Sequence, residues 1–376
     1  MTYLAELACW GSLLLLAHVF VGYPLMTWAL ARMSPRPVAR APITPTVSIV
    51  VAVFNGGRRI RARLANLRAL DYPADRIQII IVCDGCTDAT AALARTSGDT
   101  RVMVIENPVR RGKAACINDG VDAATGEVLL FTDLRQKLSP RSLRELVANL
   151  ADRTVGAVGG ELQMEDVRTG FAQGVDAYWR YEKRIRLSES QSGSTIGVSG
   201  ALYAMRRELF LPLPDGTVLD DVLVPMRVAA VGKRVVFEPR AIAWDTPSQH
   251  PEAERKRKIR TLAGNYQLLQ LAPWLLSPAS NPLWFRFISH KLLRLIAPWL
   301  MVLFAISTAA LATRHLLYAA MFAGLLAFAA LVVAGHLLPR VARWLPVRLA
   351  TAFYYLNLFS AQALLAFARH QGLHLW

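Results

Sequence analysis

The sequence predicts an α/β domain with a mostly parallel sheet, set between α-helical transmembrane segments. Three observations predict this. Short β-branched runs alternate with helical stretches over residues 44–268. Long apolar runs lie outside that region, towards both ends of the chain. Hydrophobic residues make up 54% of the 376, and charged residues only 19%, more apolar surface than a soluble domain of this size hides. The same composition excludes a disordered chain. Lys+Arg minus Asp+Glu is 43 − 27 = +16, a balance that suits an anionic bilayer face, a polyphosphate ligand or a nucleic acid. Position along the chain chooses among these.

Residues 4–31 hold no Lys or Arg and are long enough to cross a bilayer. They lack the basic head and small-residue cleavage site of a signal peptide, so residues 1–40 read as an uncleaved anchor with a basic linker. TVSIVVAVF (46–54) is a buried strand ending at Asn55-Gly56-Gly57, followed by a helix with Ile60, Leu64 and Leu67 on one face. RIQIIIVCD (76–84) is the next strand, with Thr87 or Asp88 placed to cap a helix. RVMVIEN (101–107), a helix from Lys113, and EVLLFTD (127–133) continue the alternation. Ser139-Pro140 provides an N-cap and first turn for another helix.

Residues 269–287 are Trp-rich and broken by proline, and predict a helix lying in the membrane interface. Residues 295–312, 316–338 and 349–368 read as three further spans, making residues 288–376 a membrane region. Arg32, Arg36 and Arg40 follow the first span, and Arg340, Arg343 and Arg348 lie between the third and fourth. Four spans place both clusters and the middle domain on the cytoplasmic side of a bacterial-type inner membrane, with both ends of the chain outside. Cys9, Cys83, Cys86 and Cys116 make no disulfide framework in a chain this long. Cys83-Asp-Gly-Cys86 has no second pair or nearby His to complete a zinc site.

In a parallel sheet, ligands bind beyond the carboxyl ends of the strands. Those positions carry Asn55, Asp84 and Asp133. One such residue is often a turn former. Three at one sheet edge point to a polar cleft.

VSIVVAVFN, IIIVCDGCTDAT, RRGKAACINDG and EVLLFTDLR, in that order, resemble the nucleotide-sugar half of the inverting family 2 glycosyltransferases. GVSGALYAMRR, LDDVLVPMRVAAVGKRVVFEP and ERKRKIRTLAGNYQ resemble that family's acceptor half. SHKLLR (289–294), leading into a span, is similar to the family's membrane-embedded polysaccharide synthases. The resemblance covers roughly residues 46–294 and implies a GT-A fold with a Rossmann-like nucleotide-binding sheet over 44–268. It implies transfer of a sugar from a UDP-sugar to a growing glycan, or to a polyprenyl-linked acceptor one residue at a time.

By the same resemblance, Asp84 hydrogen-bonds the uracil, Val53 and Asn55 line the nucleoside site, and Lys113 reaches the nucleotide or its phosphates. Asp133 is the first acid of the family's DxD and holds Mg²⁺ or Mn²⁺ against the diphosphate. The motif here reads Asp133-Leu134-Arg135. The ion then rests on Asp133, the phosphates and Gln136, or Arg135 supplies part of the positive charge itself. Asp221, second of the pair Asp220-Asp221, is the general base, and Asp220 caps the helix that follows. Arg257-Lys258-Ile259-Arg260-Thr261 stands in place of QxxRW. Arg260 then contacts the diphosphate, with Arg257 where the family has Gln and Thr261 where it has Trp. Gly200 lets substrate approach the backbone, and Trp179 is a candidate stacking platform for acceptor sugar.

Membrane lipid is the other expected partner, through the basic run ERKRKIR. Nucleic acid is not, because no helix-turn-helix, zinc or RRM signature occurs. A transporter needs ionisable groups at mid-membrane, and these spans offer little beyond Asn357 and Gln362. The sequence names no export or assembly partner.

Overall fold

A computed structural model describes residues 2–165, 170–246 and 251–369, and within them every side chain except those of 170–179, 251, 253 and 254. The chain opens with α1 (Thr2–Ala17) and α2 (Tyr23–Met33), joined through a π-helical turn at His18–Gly22. After an extended segment come β1 (Val47–Val53), α3 (Ile60–Arg68), β2 (Ile77–Asp84), α4 (Thr90–Arg95), β3 (Val102–Asn107), α5 (Lys113–Asp122) and β4 (Val128–Phe131). This is the alternation the sequence predicts. Then follow β5 (Lys137–Leu138), α6 (Ser142–Asn149), β6 (Val155–Met164), α7 (Gly170–Gln191), β7 (Tyr203–Arg206), α8 (Asp220–Ala230), β8 (Arg234–Asp245) and α9 (Pro251–Leu271). Helix α6 begins later than Ser139-Pro140 predicts. Those residues make a turn, and the Ser139 carbonyl accepts the Ser142 hydroxyl at 2.7 Å.

The eight strands form one sheet in the order β3-β2-β1-β4-β7-β6-β8-β5. Strands β3, β2, β1 and β4 are mutually parallel, as are β6 and β8, while β7 runs against both β4 and β6. All seven residues of β1 are buried, because helices cover both faces of the sheet. Val47, Ile49, Val51 and Val53 share one core with Ile60, Leu64 and Leu67 of α3 and Leu143 and Leu146 of α6. Val50 and Ala52 face the other way, into a core with Ala114 and Ile117 of α5 and Val222 to Val228 of α8. Gly120 lets α5 press onto β1: a Cβ there would lie 2.5 Å from a Val50 methyl. Each buried Val or Ile adds about 1.5–3 kcal/mol. The switch from parallel to antiparallel between β4 and β7 brings the end of β4 beside the start of β7, with Phe131 opposite Tyr203.

Helix α9 ends at Leu271, and the stretch predicted as an interfacial helix is not one helix. It makes a short 3₁₀ turn at Pro273–Leu276 and an irregular segment up to α10 (Trp284–Phe287). Pro273, Pro278 and Pro282 each remove a backbone donor. Leu275 and Phe287 are buried in the core shared with α8. A second π-helical turn at Ile288–Leu292 joins α10 to α11 (Leu293–Leu311). Then come α12 (Leu316–Leu337) and α13 (Leu345–Ala368). Thr2–Met33, Trp284–Leu311, Leu316–Leu337 and Leu345–Ala368 are each long and apolar enough to cross a membrane.

A buried polar cluster fastens the catalytic-side helix α7 to the membrane helices. Glu182 and Glu189 are two turns apart on one face of α7. His290 lies between them, with Nδ1 2.8 Å from Glu189 Oε1 and Nε2 3.0 Å from Glu182 Oε2. Arg294 ion-pairs with Glu182, and the Tyr23 hydroxyl donates to Glu189. Arg286 donates to the carbonyls of Glu189 at 2.6 Å and Ser194 at 2.7 Å. Burial alone would raise the Glu182 carboxyl, but Arg294 and His290 outweigh it and hold it well below the usual range. Tyr181 belongs to the same joint, donating to the Phe20 carbonyl at 2.9 Å.

Removing Glu182 from such a cluster takes away the carboxylate paired with Arg294 and leaves His290 with Glu189 alone. Glu182→Ala is expected to cost about 3–5 kcal/mol. The check is the thermal unfolding midpoint of the purified protein in detergent, which should fall by several degrees. An unchanged midpoint would show that this cluster does not hold α7 to the membrane helices.

Candidate active site

The predicted polar residues gather at the carboxyl edge of the parallel strands, where β1, β2 and β4 end. Lys113, first residue of α5, is the centre. Its Nζ lies 3.2 Å from Asp133 Oδ1, just beyond β4, and 3.3 Å from Asp220 Oδ2, at the start of α8. Asp221 stands next to Asp220 and is the more open of the two: Asp220 is 3% exposed, Asp221 partly exposed. The Gly200 N–H donates to Asp221 Oδ2 at 3.2 Å. A side chain at Gly200 would put its Cβ 3.3 Å from both Asp221 Oδ2 and Lys113 Nζ. Gly200 therefore serves by having no Cβ.

Three carboxylates close together repel, and the lysine reconciles them. Burial opposes the charge on Lys113, but Asp133, Asp220 and Asp221 outweigh it, so its pKa is raised and it stays an ammonium. Burial pushes the Asp220 carboxyl up to about 6, against the pull of Lys113. Arg260 faces the same acids, and burial lowers its pKa while Asp220 and Asp133 oppose that.

Other predicted residues have a different place. Asp84 is fully buried, and its two oxygens accept the N–H groups of Arg111 at 2.6 Å and Gly112 at 2.9 Å. Both oxygens are thus engaged in bracing the loop that delivers Lys113. Gly112 needs φ +92°, a conformation glycine alone adopts freely. Asn55 also has positive φ, +48°, and its Oδ1 accepts the Thr87 N–H at 2.9 Å, tying the end of β1 to the loop after β2. Val53 is buried, and its carbonyl accepts the Cys86 thiol at 3.4 Å. The Trp179 side chain lies outside the described residues.

Arg135 turns away from Asp133 and ion-pairs with Asp245, the last residue of β8. Arg257 approaches the same oxygen at 3.8 Å, and Gln136 Nε2 donates to it at 3.1 Å. Asp245 is 2% exposed, and its other oxygen is buried without a partner. It therefore joins the loop after β4 to the head of α9. Asp245 carries in the sequence the same signal as Asp84 and Asp133, an acid closing an apolar strand, but lies outside the motifs of the nucleotide-sugar half. Arg63 was also missed, because on α3 it reads as part of a solvated basic face. It is 2% exposed and donates to the Gln136 carbonyl at 2.6 Å and the Thr132 hydroxyl, holding the segment around Asp133. Tyr203 places a buried hydroxyl in the field of Asp220, Asp221 and Asp133.

Among the described residues, no group of three His, Cys, Asp or Glu side chains could hold a metal ion. The donor set fits a divalent ion only as the guest of a bound diphosphate. Asp133, partly exposed, would supply one carboxylate to such an ion, with phosphate oxygens and water for the rest.

A family model described as "Glycosyltransferase like family 2" matches residues 45–264. The chain is 27% identical over 248 residues to a "Probable glycosyltransferase YdaM" of Bacillus subtilis, covering 59% of this chain and 55% of that one. It is 22% identical over 230 residues to the "Poly-beta-1,6-N-acetyl-D-glucosamine synthase" of Staphylococcus aureus, with the same coverage of 59% and 55%. It thus spans little more than half the length of these relatives. The solved structure of the mannosyltransferase PcManGT from Pyrobaculum calidifontis, in complex with GDP-Man and Mn²⁺, superposes with a TM-score of 0.71 at 25% identity, over 95% of this chain and 97% of that one.

The Arg135–Asp245 pair can be tested without any substrate. Asp245→Ala and Arg135→Ala, alone and combined, should show a coupling energy within about 0.5–3 kcal/mol in thermal or denaturant unfolding. Strictly additive effects would show that the pair does not hold the loop after β4.

Proposed function

This chain belongs to glycosyltransferase family 2, and we propose that it transfers a sugar, with inversion, from a UDP-sugar to a growing glycan at the cytoplasmic face of a bacterial-type inner membrane. That it is a glycosyltransferase follows from the family; the donor, the stereochemistry and the membrane face are this reading's own. The observation that carries it is the Lys113 ammonium between Asp133 and Asp220, with Asp221 open beside it.

In this reading Asp221 takes the proton from the acceptor hydroxyl. That oxygen bonds to the anomeric carbon from the face opposite the donor phosphate. The bond from that carbon to the phosphate oxygen breaks, and the nucleoside diphosphate leaves with the electron pair. Lys113 and Arg260 counter the charge developing on the phosphates. When the diphosphate arrives, Lys113 exchanges part of its pairing with Asp133 and Asp220 for phosphate oxygens. A divalent ion carried with the donor, held by Asp133, would supply further counter-charge. The Mn²⁺ in the PcManGT complex supports that assignment. Arg135 and Arg257, gathered on Asp245, set the relative position of the loop after β4 and α9.

The glycan-synthase relative supports a polymer product. Thr261 supports the alternative of single additions to a polyprenyl-linked acceptor: where polymerising relatives carry Trp, it offers a hydroxyl that donates to its own helix at 3.0 Å. A GDP-sugar is a second reading of the donor. Asp84 spends both oxygens on the 111–112 loop, and the structure matching nearly the whole chain holds GDP-Man.

The test offers the purified full chain a panel of UDP- and GDP-sugars with Mg²⁺ or Mn²⁺, follows nucleotide release and sizes the product. UDP-sugar turnover giving a polymer is expected. Release from GDP-sugars alone replaces the donor assignment, and a one-sugar product replaces the polymer. Asp221→Asn should lower turnover about 10²–10⁴-fold with donor affinity kept. Near-normal turnover removes Asp221 as base. Gly200→Ala should lower turnover by about tenfold or more by displacing Asp221 or Lys113 a few tenths of an ångström, with the unfolding midpoint retained. Full activity of that variant would show that the packing around Gly200 does not matter to the reaction.

A further inference from the structure

Helix α13 is apolar enough to cross the membrane, but its contacts run in another direction. Helix α12 leads back from the far turn, marked by the Trp10–Tyr318 hydrogen bond of 3.3 Å, to the catalytic side at Leu337. Helix α13 starts there, after a short turn at Val341–Arg343. As a span beginning at Leu345, it would carry residues 360–367 about 22–33 Å further across the bilayer. They would then lie beside the far ends of α1 and α11, where Cys9 packs with Phe304 and Leu311.

They lie instead on the catalytic side. Tyr355, ten residues into α13, is still beside the end of α12, its hydroxyl 2.6 Å from His336 Nε2. The Ser360 hydroxyl donates to the Leu295 carbonyl at 3.0 Å, in the first turn of α11. Gln362 Oε1 accepts from Arg255 at 3.3 and 3.4 Å, and the Phe367 ring stacks on Tyr266 at 5.9 Å. Arg255 and Tyr266 belong to α9, a helix of the catalytic domain. Helix α13 also packs against α7. Phe353, early in α13, meets Phe20 of the first span at 5.0 Å and Phe328 of α12 at 6.1 Å.

We infer that α13 does not cross the bilayer: it lies in the interface on the catalytic side, strapped to α9, and its partner surface is the headgroup layer of that leaflet. The chain then has three spans, and its two ends lie on opposite sides of the membrane. Hydropathy alone gave four spans with both ends outside. The surface composition fits an interfacial position. Trp344, Leu345, Leu349 and Leu365 are exposed apolar side chains. Arg343 precedes α13, Arg369 follows it, and all three of Arg343, Arg369 and Arg255 are exposed. Exposed apolar residues bordered by cations suit the boundary of an anionic leaflet. Gln362 and Asn357, awkward at mid-membrane, have polar partners here: Arg255 for one, and the Phe353 carbonyl at 2.9 Å for the other. The strap also has a consequence for the site, because α9 carries Arg257 and Arg260.

The experiment uses the full chain in its membrane and needs no activity measurement, so it stands apart from the sugar-transfer reading. One epitope is added after Trp376, and in a second version one is inserted in the turn at residues 313–315. Protease is applied to sealed right-side-out and inverted vesicles. The epitope after Trp376 should be digested together with the catalytic domain, only in inverted vesicles, and the epitope in the turn only in right-side-out vesicles. Digestion of both epitopes from the same side overturns the inference. In parallel, Arg255→Cys with Gln362→Cys should be joined by a short bis-maleimide cross-linker whose reach matches the two lost side chains, identified as a linked peptide pair absent from either single variant. No such link overturns the strapping of α13 to α9, even with the epitope after Trp376 on the catalytic side.

Discussion

The active region depends on one cation. Lys113 stands between acids that come from distant parts of the chain: Asp133 after β4, and Asp220 at the head of α8. Without it, three carboxylates would stand together at one sheet edge, where like charges raise one another's pKa and push the segments apart. The rest of the site can be read as what is needed to deliver that ammonium. Asp84 has no exposure and fixes the loop before it. Gly112 turns the chain into α5. The antiparallel β7 returns beside β4, so that Gly200 can hold Asp221 next to the cation. A pocket whose charges already balance is also one that can exchange them.

Much of this was legible in the sequence because parallel sheets expose their ligand side in a regular way. The β-branched runs gave the strands to within a residue or two, and the polar residue after each gave Asn55, Asp84 and Asp133. What the pattern could not give was direction. The resemblance implies that Asp84 meets the uracil, and in the structure its oxygens accept from backbone donors. Beside Asp133, Arg135 reads as charge for the phosphates, and in the structure its partner is Asp245, 110 residues away. Sequence spacing carries no information on such a pairing. Arg63 shows the converse difficulty, since burial of an arginine on an otherwise basic helix depends on a loop that closes over it.

The membrane side shows how far composition reaches. Hydropathy measures whether a helix prefers lipid to water, not whether it crosses. Helix α12 is mostly exposed along its length and has no polar neighbours to seek until its catalytic-side end. Helix α13 is less apolar and carries Asn357, Ser360 and Gln362 in its second half. In an α-helix those side chains point back along the first turns and need partners nearby. A span would take Gln362 away from Arg255 of the catalytic domain, and the fold-back brings the two together. Asn357 bonds a carbonyl of its own helix and Ser360 one of α11, so Gln362 is the residue that separates the two placements.

Two joints connect the membrane to the chemistry, and they differ in kind. The first is the Glu182–His290–Glu189 cluster, whose two acids and histidine are buried and paired with one another, tying α7 to the apolar helices. The second is α9, held from below by Gln362 and Phe367 and from the site by Asp245. Its ties are partly exposed and longer, with Arg257 3.8 Å from Asp245 and Arg255 3.3 Å from Gln362. Exposed ties of that length contribute little individually, on the order of 1 kcal/mol or less. A rigid joint fixes the height of the pocket above the bilayer, while a weak one lets a single helix adjust. The helix that carries Arg260 to the acids is therefore the more weakly tied of the two.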